Sequence, residues 1–297
     1  NASFSDPTAS SNSGKTFTLD PSDNLSYSTT YKTRVTTAVK DAAGNNLGSE
    51  YVTSIGFKTI FQPQTKSELQ TAVDLWVSDK SSALSTYGEI NTWNTALITD
   101  MTSLFKDKTT FNDNISAWDV SNVTNMYRMF MNASNFSGDL SNWDVENVTN
   151  MGSLFSGTTK FNGDLSGWDV SNVTSFDSMF FSANSFNNNS LANWDVSSVT
   201  NMRQMFYGAS TFNGDISGWD VSSVTNMRVM FSQTAINQDL SNWDVDNVTS
   251  MWGMFERARQ FDKDISSWDI SSVTDMTSMF SNADGLSARG KCVIHNA

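Results

Sequence analysis

The sequence predicts a mainly β solenoid with short helical turns. About eight coils of 25 residues stack on a parallel sheet, behind a helical cap and a small N-terminal β module. Three observations predict it. Trp93, Trp118, Trp143, Trp168, Trp194, Trp219, Trp243 and Trp268 recur at intervals of 25, 25, 25, 26, 25, 24 and 25 residues. Around each runs a version of WDVSSVTNMRQMFYGASTFNGDISG, the text from Trp194 to Gly218. A unit this short cannot bury its own apolar face, so neighbours must stack.

Residues 1–60 form the first module. Segments such as TYKTRVTTAV and SEYVTSIGFKT alternate β-branched and aromatic residues between turn signals such as DAAGNN, which is strand and turn chemistry. Residues 61–92 read as the cap. Thr65-Lys-Ser-Glu68 is a capping box, and Leu69, Ala72, Val73 and Trp76 follow at helical spacing, predicting an amphipathic helix over Lys66–Val77. Residues 93–280 are the coils. Met202, Met205, Phe206 and Ala209 stand at i, i+3, i+4 and i+7, predicting a helical turn facing the core. Phe212, Gly214 and Ile216 alternate with Asn213, Asp215 and Ser217, predicting a strand with one face out and a rise of about 4.8 Å per coil. One residue is inserted at Phe186–Trp194 and one is missing near Ala235–Ile236, and loops are expected to absorb both. Residues 281–297 read as a C-terminal cap, with Cys292, Val293 and Ile294 as its apolar contact.

Composition excludes several chemistries. The chain has 297 residues, 18 basic against 31 acidic, and a net charge of −13, which argues against a nucleic-acid partner. One Cys and one His rule out an intrachain disulfide and any two-His or multi-Cys metal site. Cys292 and His295 lie three apart, but a nucleophile pair would need a pocket and a third orienting group, so they read as cap packing, with pairing of the thiol to another chain as the alternative. No segment approaches the about 18 apolar residues of a membrane helix. The acidity is uneven. Residues 1–60 hold five acids and five bases, whereas residues 90–297 hold 22 acids and 11 bases.

The units, with their text WDVSNVTNM, then M-x-x-MF, then FN-x-DIS, resemble the 25–26-residue bacterial surface repeats of the DUF285 family, related to BspA-like leucine-rich repeats. The resemblance covers about three quarters of the chain and implies a right-handed, leucine-rich-repeat-like solenoid. Thr16–Thr59, with TYKTRVTTAVKDAAGNNL and GFKT, resembles the second half of an SbsA-type bacterial Ig-like domain, so residues 1–60 are expected to be a partial Ig-like module. Together these resemblances imply a secreted, extracellular or cell-surface protein. They imply no known enzymatic activity.

Two acidic columns are the polar signature of the array. One follows the tryptophan: Asp119, Asp144, Asp169, Asp195, Asp220, Asp244 and Asp269. Stacked carboxylates repel, and the expected remedy is that each Asp caps its own turn. Calcium between coils is the alternative; otherwise no cofactor is expected. The other column belongs to the outward strand face, with Asn114 and Ser190 replacing Asp in two coils. Asn162, Asp164, Ser166, Asn213, Asp215, Ser217, Asn237, Asp239, Ser241 and Asp264 are the candidate contact residues, fit for a protein or glycan partner. Repeated acids do not supply the unique acid and base of an active site, so no enzyme is expected. The buried indole N–H should find a carbonyl of the adjacent coil. The sequons at Asn122, Asn147, Asn172 and Asn247 read as by-products of the repeat. The expected function is thus a non-enzymatic, cell-surface structural or adhesive protein presenting an acidic surface. The alternatives are a homo-oligomeric filament joined by strand addition through the Ig-like module, and a glycan-binding or polysaccharide-active protein.

Overall fold

The computed structural model describes residues 29–40 and 43–286; Cys292, His295 and most of the expected C-terminal cap lie outside them. The N-terminal module contributes four two-residue strands. They are β1 (Thr30–Tyr31), β2 (Arg34–Val35), β3 (Tyr51–Val52) and β4 (Phe57–Lys58), with β1 antiparallel to β4 and β2 antiparallel to β3. Helix α1 (Lys66–Ser78) matches the expected helix within a residue. Thr65 Oγ1 accepts the Glu68 N–H at 3.2 Å, while Glu68 reaches back to the N–H of Gln64 at 2.7 Å. Leu69, Ala72, Val73 and Trp76 are its buried side. A second helix, α2 (Lys80–Tyr87), follows because Asp79 accepts the Ser82 N–H and restarts the chain after the break. The pair covers the first repeat. Trp76 donates its indole N–H to Asp113 at 2.9 Å, Lys66 pairs with Asp100 at 2.9 Å, and Gln70 donates to the Leu104 carbonyl at 3.1 Å.

The repeats stack, but not as expected. The predicted mainly β, right-handed leucine-rich-repeat-like solenoid with a parallel sheet is not what forms. Among the described residues, all named strands lie in the N-terminal module and are antiparallel. Successive units, numbered 1 to 8 from Trp93 to Trp268, share isolated one-residue parallel bridges: Asp100–Asn125, Asn125–Asn150, Asn150–Ser175 and onward to Ser250–Asp275. The expected helical turns are absent too, and the reason lies in the backbone. In unit 1 the N–H groups of Met101, Ser103, Phe105 and Asp107 donate to carbonyls of Asn125, Tyr127, Met129 and Met131 in unit 2. The intervening N–H groups of Leu104, Lys106 and Lys108 close i to i+3 turns on Met101, Ser103 and Phe105. An α-helix would need every N–H for its own i−4 carbonyl; here every second one is given to a neighbour. Ser103 and Asp107, the third residues of two of these turns, have φ of 60° and 61°, the signature of type II turns. Each unit is a ribbon of turns rather than a strand or helix.

The same two positions have positive φ in every unit, and most are not glycine. They include Arg128, Gln204, Arg257 and even β-branched Val229 at φ 48°, while Gly157, Gly208 and Gly253 fill the rest. A side chain in this region costs about 1 kcal/mol or more, and inter-unit bonding has to outweigh it. Aromatic stacking adds to that bonding. Phe105, Phe130, Phe155, Phe180, Phe206, Phe231, Phe255 and Phe280 form one column, with neighbouring centroids 5.3–5.9 Å apart. The tryptophans sit beside it, buried, and from Trp118 to Trp268 each indole N–H donates to a backbone carbonyl 27–29 residues earlier, one period back as expected, whereas Trp93 donates to Gly88 within the cap. Trp118 donates to the Ile90 carbonyl at 2.7 Å, and Trp194 to Leu165 and Trp219 to Leu191 repeat the contact at 3.0 and 2.9 Å. The sequon asparagines are also structural. Asn122, Asn147, Asn172 and Asn247 each donate Nδ2 to a carbonyl of the preceding unit.

The left-handed positions set a test with opposite signs. Gln204→Gly relieves strain and should raise unfolding stability by about 0.5–1 kcal/mol net of the entropy glycine adds to the unfolded chain. Gly157→Ala should lower it by more, because the new Cβ would stand 2.4 Å from Asn132 Oδ1 in a φ region that L residues avoid. Denaturant unfolding of both variants reads the two signs.

Candidate interaction surfaces

The array contains its own comparison set, because eight units share one backbone. A column whose residue type recurs is fixed by the stack; a column that varies is not. The strand-face candidates fall in recurring columns, and their polar atoms are engaged. Asn162 Oδ1 accepts the N–H of Asn187, Asn187 that of Asn213, Asn213 that of Asn237, and Asn237 that of Asp262. This is a side-chain ladder running through five units. Asp164, Asp215, Asp239 and Asp264 each accept the N–H two residues on, from Ser166, Ser217, Ser241 and Ser266 at 2.9–3.0 Å. The predicted alternation is visible in burial, with Phe212, Gly214 and Ile216 inside, but these side-chain bonds replace a strand ladder. In unit 4 the inserted residue moves the turn role from the expected Ser190 to Asn188, which accepts the Ser190 N–H at 2.9 Å. Asn162, Asp164 and Ser166 belong to unit 3 and Asn213, Asp215 and Ser217 to unit 5, so unit 4 separates them. Asp239, Ser241 and Asp264 do come together.

Both acidic columns are capped turns. Asp195 and Asp220 each take the N–H and hydroxyl of the serine two residues later, at 3.0 and 2.6 Å. These bonds favour the charged form. The serine hydroxyl, then the serine N–H, holds Asp169, Asp195, Asp215 and Asp220 below the usual carboxylate range. For Asp139, Asp164, Asp239 and Asp269 the backbone N–H is the larger cause. Unit 7 shows the converse. There Asp246 replaces the serine, and the charge of Asp244 pushes the Asp246 carboxyl up. Among the described residues no three His, Cys, Asp or Glu side chains gather as a metal would need.

Among the described residues, two of the surface clefts lie where units 6 and 7 meet, the second reaching Ser210 of unit 5 and Asn282 of unit 8. One, of about 300 Å³, is lined by Asp239, Ser241, Lys263, Asp264, Ser266 and Ser267, so three predicted residues share it with a lysine. The other, of about 550 Å³, lies on the turn face between Gln233–Ala235 and Arg257–Gln260. None of its residues was a sequence candidate. The available signal was the 24-residue interval from Trp219 to Trp243, together with two arginines in an acidic region.

The family comparisons agree with the repeat. The model of the family described as "Mycoplasma protein of unknown function, DUF285" matches residues 76–192 and again 185–291. The chain belongs to the DUF285 family. Residues 1–59 match a bacterial Ig-like domain. No curated protein and no solved structure matches the chain. The pairing of DUF285 repeats with an Ig-like domain marks a bacterial surface-type protein. No helix among the described residues is long and apolar enough to cross a membrane.

The depressed aspartates make the DUF285 array acid-sensitive. Carboxylates held below their unfolded value of about 3.9 contribute stability above that pH and lose it as pH falls through the folded values. Melting temperature should therefore be flat from neutral pH to about pH 5 and drop below about pH 4. Asp195→Ala should cost about 1 kcal/mol by freeing a turn N–H, while Asp195→Asn keeps the acceptor and should cost much less. Thermal melts of the three proteins across this pH range check both points.

Proposed function

We propose that this DUF285 chain is a non-enzymatic, extracellular structural and adhesive module whose repeat array presents an acidic surface to protein or glycan partners. One observation carries the reading: the carboxylates of the strand face are pre-positioned. In Asp139, Asp164 and Asp239 one oxygen is tied to the residue's own turn, and the side chain stands exposed. The group is thus held in one orientation at low entropic cost to a partner. Its recurrence from unit to unit suits an extended surface better than a single reaction centre. The acidic excess of residues 90–297 supports the same use.

Charge and structure separate cleanly here, because asparagine caps a turn as well as aspartate does. The triple variant Asp164→Asn, Asp215→Asn, Asp239→Asn should fold and, at neutral pH, melt only slightly below the parent, because the turn acceptor is kept and only the charge is lost. It should lose at least about tenfold in affinity for a protein or glycan captured from immobilised panels, a change of about 1.4 kcal/mol. Unchanged binding by the folded triple variant would refute the acidic surface as the contact. Cleavage of a polysaccharide by the pure chain would refute the non-enzymatic assignment.

A further inference from the structure

A regular array offers the same groups at every unit and so defines no single locus; a unique site needs a departure from the period. The insertion in unit 4 is consumed internally, since Asn188 donates to Asn162 and Asn189 accepts the Asp215 N–H. The deletion in unit 6 is not. Ile236 keeps the buried core position that Phe212 holds in unit 5 and Phe261 in unit 7, so the missing residue is taken from the surface just before it. The cleft of about 550 Å³ opens at that point, within the size range of small-molecule sites.

Its wall has a definite chemistry. Arg257 and Arg259 are both exposed on it, in a region where acids outnumber bases two to one. Their acidic neighbours hold them loosely. Arg257 Nε stands 3.8 Å from Glu256, and Arg259 Nε stands 4.0 Å from Asp284, both beyond hydrogen-bond distance. The guanidinium donors are therefore available to an outside acceptor. The backbone beneath is fixed: Arg257 lies at φ 56° with its N–H on the Ser281 carbonyl. Gln233 gives its amide N–H to the Tyr207 hydroxyl at 2.7 Å, which orients its carbonyl oxygen. Gln260 and Asn282 add two more amides, and Ala235 is the one apolar residue in its lining. Such a wall has no recess for the apolar anchor of a peptide. Two exposed guanidinium groups lining one cleft with amides match a carboxylate on a polyhydroxylated ring.

We propose that this cleft binds a carboxylated saccharide, with Arg257 and Arg259 holding the carboxylate of one uronate unit and the amides of Gln233 and Gln260 bonding its hydroxyls. Calorimetric titration of the full chain with oligogalacturonate tests it, beside an uncharged galactose oligomer and polyglutamate. The acidic saccharide should bind, more weakly as salt rises, and the two controls should not. Arg257→Gln and Arg259→Gln should each weaken binding by about tenfold or more without changing the melting temperature. Inserting one threonine between Ala235 and Ile236, which restores the 25-residue spacing, should close the cleft and abolish binding. Absence of oligogalacturonate binding by the parent would overturn the proposal. So would equal binding of either control, or full affinity in the double arginine variant.

Discussion

Every second backbone N–H of the turn ribbon is donated to the next unit, and the remainder of the fold follows from that division. Met101, Ser103, Phe105 and Asp107 send theirs outward, while Leu104, Lys106 and Lys108 keep theirs. Carbonyls divide in the same way, with one set closing turns and the other receiving the neighbour. This satisfies the polar backbone without helix or sheet, and burying it otherwise would be prohibitive. It also obliges two residues per unit into the left-handed region, a standing strain accepted by serine, arginine and valine alike. A single unit would have the strain and none of the compensation.

Much of this was legible in the sequence. The tryptophan period located every unit, the capping box located α1, and repulsion between stacked carboxylates required the turn capping that Asp195 and Asp220 show. The buried indole required a neighbouring carbonyl, which Ile90 and Leu165 supply. The secondary structure misled for a physical reason. Met202, Met205, Phe206 and Ala209 do all face the core, but consecutive type II turns point residues i, i+3, i+4 and i+7 inward just as a helix does. The residues that distinguish the two, at the left-handed positions, are only occasionally glycine. The strand face misled differently. Phe212 and Ile216 are inside as alternation demands, yet the Asn213 N–H goes to the Asn187 side chain, a contact that hydrophobic pattern does not encode.

Function divides along the same line. Recurring columns are occupied with holding units together, as the Asn162–Asn237 ladder does, or with capping their own turns, as the aspartates do, and the acidity is a by-product of that capping. The turn face is where the units differ, with Tyr127, Gly152, Asp177, Arg203, Arg228 and Trp252 occupying one column in succession. Specificity in a DUF285 array therefore has most freedom on the turn face and at breaks in the period. The deletion before Ile236 was visible in the spacing; that two arginines flank it in space was not, because Arg257 and Arg259 belong to the following unit.

Amide hydrogen exchange tests the division of the backbone most directly. The N–H groups of Phe155, Phe180 and Phe206, which donate to Met179, Met205 and Met230 of the following unit, should exchange as slowly as those of Met179 and Met205, which close turns within their own unit. Both sets should open only when neighbouring units separate. Fast exchange at Phe155, Phe180 and Phe206, with protection kept at Met179 and Met205, would mean the turns form without the stack and would contradict the account.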